Sequence, residues 1–151
     1  MARPKFVVQH FIACLNAARD GLPGPDVSRT LERVAYRYLV APDAEFPFEE
    51  LEFWLYARFY RTNTVNGSRT FSVDVIWHDA PGGVTHIGGR GLGTVRFSDR
   101  SPVVSAAWPV RPLVFPGIGL DEFRLLAEVR RPIGPDWRAV RSEFVRIERH
   151  P

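Results

Sequence analysis

Only one cysteine, Cys14, stands in the 151 residues, so the chain can close no internal disulfide. Nothing in it therefore calls for an oxidising compartment. Cys14 lies in an apolar run, which predicts a small buried side chain; the other reading of it is a nucleophile. Long apolar stretches are also missing. None approaches the roughly 20 residues that cross a bilayer as a helix, so no membrane contact is expected. Ala2 to Lys5 is basic and Phe6 to Leu15 is apolar, but Gln9 and His10 interrupt the run and no small-residue cleavage site follows. No secretory signal is expected. These absences predict a soluble, cytoplasmic protein. Lysine is nearly absent: Lys5 stands alone against nineteen arginines. With abundant Ala, Gly and Pro, that composition is the kind a GC-rich bacterial genome produces. No long helical periodicity appears anywhere.

What is present suits one globular domain over residues 1–151. A chain of this length buries roughly 70% of its unfolded surface and needs no staples. An apolar share of 45% and a charged share of 25% are ordinary for such a domain. The net charge of +3 is spread unevenly, −1 over residues 1–80 and +4 over 81–151. A dedicated nucleic-acid binder gathers its charge more strongly than this.

The stretch Glu50 to His78 organises the rest. Leu51, Phe53, Leu55, Ala57 and Phe59 alternate with Glu52, Trp54, Tyr56, Arg58 and Tyr60. Further on, Phe71, Val73, Val75 and Trp77 alternate with Ser72, Asp74, Ile76 and His78. Strict alternation puts one set on a core face and the other opposite. Thr62 to Ser68 with Asn66-Gly67 lies between, which predicts a central antiparallel hairpin. Before it, Lys5 to Ala13 reads as a strand, with helix an alternative beyond Cys14. Asp20 to Asp26 reads as a loop. Ser28 to Val40 is ambiguous, with a possible cap at Ser28 and alternation toward Val40. After the hairpin, Gly88, Gly89, Gly91 and Gly93 precede Val95 and Phe97; glycines in a strand pattern predict bulges or a close backbone approach. Pro109 and Pro112 require Val103 to Phe115 to lie at an edge or to break. Phe123 to Arg130 and Trp137 to Glu148 read as two further strands. About eight strands with Pro- and Gly-bearing turns predict an all-β, single-domain antiparallel β-sandwich, or a closed barrel. The turns recur too closely for parallel strands.

Chemistry is sparse. Gly88-Gly89-Arg90-Gly91-Leu92-Gly93 fails as a dinucleotide fingerprint and as a phosphate loop, so no cofactor is expected. His78 and His86, with Asp79 or Asp74, are weak metal candidates at no recognised spacing. No serine stands in a nucleophile elbow, and no catalytic residue is assigned. Glu45, Glu49, Glu50 and Glu52 read as a solvated edge. Arg130, Arg138, Arg141 and Arg146 belong to the basic C-terminal run; they read as cross-strand ion-pair partners or as a phosphate-binding surface. The row Trp54, Tyr56, Arg58 and Tyr60 is the binding candidate. It reads either as a face covered by the rest of the chain or as a surface that stacks on a ligand or centres a protein interface.

Three features together carry a resemblance: the acidic-proline loop Pro42-Asp43-Ala44-Glu45-Phe46-Pro47, the two long strands, and Pro116-Gly117 before Phe123-Arg124-Leu125. In these the chain resembles small bacterial β-sandwich proteins whose domains have no assigned function. The resemblance implies a sandwich and carries over no active residue. The expectation is a non-catalytic module that binds a partner protein or assembles with itself. Small-ligand or carbohydrate binding, extending to a minor hydrolase, and arginine-mediated nucleic-acid binding are the alternatives.

Overall fold

The computed structural model describes residues 2–19, 29–34, 37–50, 53–80, 82–110, 113–130 and 135–151. Eleven strands and no helix run through these residues: β1 (Phe6–Arg19), β2 (Arg29–Val34), β3 (Arg37–Val40), β4 (Phe48–Glu50), β5 (Trp54–Arg61), β6 (Gly67–Trp77), β7 (Val84–Phe97), β8 (Val103–Pro109), β9 (Leu113–Phe115), β10 (Gly119–Arg130) and β11 (Pro135–Arg149). A first sheet has the order β2-β1-β5-β8, a second β3-β11-β10-β6-β7, and β4 and β9 form a ribbon.

The all-β expectation holds, but the strand count rises from eight to eleven. Ser28 to Val40 carries two short strands, and Val103 to Phe115 breaks after Pro109 into β8 and β9. Residues 14–19 and 29–33 are strand. The loop at 20–26, the cap at Ser28, and Leu51, Glu52 and Pro112 lie outside the described residues. Parallel pairing does occur: β3 runs parallel to β11. About a hundred residues separate those strands in sequence, so the minimum crossover length is no obstacle there.

The central hairpin does not form. β5 pairs with β1 and β8, whereas β6 pairs with β7 and β10. Residues 62–66 instead carry the chain from one sheet to the other. Five extended residues reach up to roughly 17 Å, enough for the ~10 Å between packed sheets. The alternation itself was sound. Leu55, Ala57 and Phe59 point inward from β5, and Phe71, Val73 and Val75 from β6, each essentially without exposure. The two sets face each other rather than sharing a sheet. Phe59 and Phe71 meet with ring centroids 4.4 Å apart, and Phe53 stacks on Phe123 at 5.1 Å. Phe123, Leu125, Ala127, Val145 and Ile147 complete the second sheet's buried side.

The glycine stretch acts as expected. The β6–β7 ladder shifts register twice, around Val73 and its partner Gly89. At Gly93 a Cβ would come within 1.7 Å of the Trp108 indole nitrogen. Only glycine lets the buried indole close onto that backbone. Pro109 ends β8 at the edge of the first sheet, where a missing donor costs no ladder bond.

Candidate functional site

The outward side chains of β5 form the row singled out above. Because β5 alternates, Trp54, Tyr56, Arg58 and Tyr60 stand opposite the buried set. Their exposure is graded. Cys14, cross-strand to Trp54, is fully buried, and Trp54 and Tyr56 are half-buried. Arg58 is exposed, and Tyr60 is 43% exposed. Val7, cross-strand to Tyr60, is 49% exposed. Arg58 lies between His10 on β1 and Ser105 on β8, so neither cross-strand neighbour offers it a carboxylate. One end of the row is therefore packed and the other open, with Tyr60 and Val7 exposed beside Arg58. Both readings of the row apply, each to one half of it.

His78 sits on the second sheet, away from this row. Its Nε2 lies 2.7 Å from Glu122 Oε2. The other carboxylate oxygen of Glu122 accepts from Arg124 Nε at 3.2 Å and from Ser142 Oγ at 2.8 Å. Burial alone would raise the Glu122 pKa. The bonds from Ser142, Arg124 and His78, with the Arg124 charge, outweigh it and hold the group below its ordinary value. Phe144 lies beside the imidazole, ring centroids 6.2 Å apart. Asp79 turns elsewhere, accepting from the Leu120 amide at 2.7 Å. His86 is opposite Val75 in the ladder, and its side chain lies outside the described residues. Among the described residues no group of three or more His, Cys, Asp or Glu side chains could hold a metal. The Glu122 oxygens are spent on internal partners.

Next to Glu122, Asp121 faces the core and is fully buried. Burial first, then the Asp79 charge, pushes its pKa up to about 7, against the lowering effect of His78. Neither Asp121 nor Glu122 was singled out in the sequence. The signal for Asp121 was there: it shares the inward phase of Phe123, Leu125 and Ala127.

The arginines do not converge on one face. Arg146 alternates with buried Val145 and Ile147 and lies 4.0 Å from Glu148. Arg141 donates from Nη1 to the Val8 carbonyl at 3.2 Å. Arg138 is exposed eight residues before Arg146, roughly 26 Å along an extended strand. The Arg130 side chain lies outside the described residues. Glu45 and Glu49 are exposed, as a solvated edge requires, while the side chains of Glu50 and Glu52 are outside the described residues.

No family model matches the chain, and no curated protein matches it in sequence.

Proposed function

We propose that this protein is a non-catalytic β-sandwich module that binds a protein surface, on a partner or a second copy, through the outer face of its first sheet. In this reading the two large sheets are the layers of the sandwich, and the β4–β9 ribbon closes one end of it. The observation that carries the reading is the open end of the β5 row: exposed Arg58 and Tyr60 beside exposed Val7. Aromatic side chains and arginine are the types enriched at the centres of protein interfaces. The resemblance to small bacterial β-sandwich proteins agrees with a module of this kind. Arg146 stands apart from Arg138 and Arg141, which speaks against one phosphate-binding surface built from the whole run, and the internal bonding of His78 speaks against a histidine-based site.

The test is a double variant, Arg58→Ala with Tyr60→Ser, compared with the wild-type protein by light scattering and by affinity capture from the host. Truncating a hot spot costs about 2 kcal/mol or more, so the complex should weaken roughly thirtyfold. The thermal midpoint should stay put, because both side chains are exposed. A complex that survives the double change, or a wild-type protein that forms none, overturns the reading.

A further inference from the structure

The seam where β1 meets β11 brings together two strand edges that no described strand pairs. Among the described residues, Phe6 to Ala13 pair only with β5, since β2 joins at Cys14. β11 pairs with β10 along its length, and with β3 only from Arg146 onward. Both strands are irregular where they approach. β1 shifts register between Val8 and His10, and the β10–β11 ladder shifts between Leu125 and Leu126, which leaves Val140 as the extra residue. Bulges of this kind bend a strand and interrupt pairing. Arg141 bridges the seam by donating to the Val8 carbonyl. Beside that bridge lies a cleft of about 480 Å³ lined by Phe6, Val7, Val8, Arg138, Ala139 and Val140. Its walls combine apolar side chains with strand edges, and an unpaired edge is a template for another strand.

The corner is also basic. Arg138 and Arg141 are exposed on its rim. Arg69 lies close behind: burial first, then the charges of Arg3 and Arg138, lower its pKa. Arg69 thus feels the charge of both Arg3 and Arg138. Glu128, 3.9 Å from Arg3, offsets part of the charge. Glu143 is half-buried, and burial raises its pKa toward the neutral form. The balance around the cleft is positive. A symmetric second copy would bring the same arginines against themselves.

We propose that this cleft takes an extended acidic segment of a partner protein, added as a strand along the edge of β11 that no described strand pairs. The apolar side chains of that segment would rest on Phe6, Val7 and Val140, and its carboxylates would meet Arg138 and Arg141. This site adjoins the Arg58 and Tyr60 end of the β5 row, with which it shares Val7, and differs from it in using the β11 edge and Arg138.

The probe is a fluorescein-labelled eight-residue peptide alternating glutamate and valine, titrated into the full chain by anisotropy. Saturable binding is expected. Arg138→Glu, a change at an exposed position, should weaken it by about tenfold or more. The same peptide N-methylated at alternate residues should bind far less, because it cannot complete a ladder. The proposal is overturned if the wild-type protein shows no saturable binding, or if a lysine–valine peptide binds as well. It also fails if N-methylation or Arg138→Glu changes nothing, or if a thymidine oligonucleotide displaces the peptide and binds tighter. That last result would mean that the arginines read phosphate.

Discussion

At the scale of single residues, Asp121 is the position with the clearest consequence. It keeps the inward phase of β10 and is fully buried, with its pKa pushed up to about 7. A carboxyl raised in the folded state binds its proton more tightly there than in the unfolded chain. Its contribution to stability is therefore complete below its ordinary value of 3.8 and is lost as pH rises through about 7. At about 1.4 kcal/mol per unit, the loss across that window is on the order of 4 kcal/mol. Glu122 has the opposite sign: its pKa is lowered, so its contribution is present above the ordinary glutamate value and fades as pH falls through the folded one. Asp121→Asn isolates the first effect. The variant should match the wild-type protein near pH 4 and exceed it by several kcal/mol at pH 8 in urea unfolding. A stability difference that stays flat with pH would refute this account of Asp121.

At the scale of elements, the segment before β1 is held down by a side chain from β6. Arg69 is 8% exposed and donates to the Pro4 carbonyl at 2.9 Å and to the Glu128 carbonyl at 2.7 Å. Its guanidinium carbon also lies 5.0 Å from the Phe6 ring centroid. Asn63 adds a bond to the Arg3 carbonyl at 3.0 Å. The segment is thus tied to β6 and to the 62–66 connection before the first strand begins. Arg69→Met keeps bulk but removes the donors; the Pro4 carbonyl loses its Arg69 bond, while the Glu128 carbonyl keeps Arg3 Nη1 at 3.4 Å. A buried group that loses its donor costs about 1–3 kcal/mol, so a loss of that order is expected in urea unfolding. A loss under 0.5 kcal/mol would mean that the segment is held by packing alone. None of this was legible in the sequence. Arg69 alternates with Phe71 and Val73 as an inward residue, but its partners lie 65 and 59 positions away.

At the scale of the whole molecule, the core is shared. Phe6 contacts the rings of Phe59 from one sheet and Phe71 from the other, at 5.8 Å and 5.3 Å between centroids. Trp108 packs on Phe59 at 6.3 Å, and its indole would collide with any side chain at position 93 of the facing sheet. Neither sheet can open without exposing the other's buried face. Unfolding in urea should be two-state, with tryptophan fluorescence and far-UV circular dichroism giving one midpoint. Two separated midpoints would mean that the sheets fold as independent units.

The sequence by itself determined that the protein is all-β, which residues of β5, β6 and β10 share a face, where Pro109 ends a strand, and that the glycine stretch bends one. Those properties follow from alternation, missing donors and missing side chains, all local to a few residues. It did not determine which strands are neighbours. Leu55 to Phe59 and Phe71 to Val75 would alternate the same way in a hairpin or on two facing sheets. Only packing across the core decides between these, and it chose facing sheets. The open half of the β5 row and the cleft at the β1–β11 seam were likewise settled by tertiary structure. Exposure depends on what the remaining strands cover, and that depends on contacts made far along the chain.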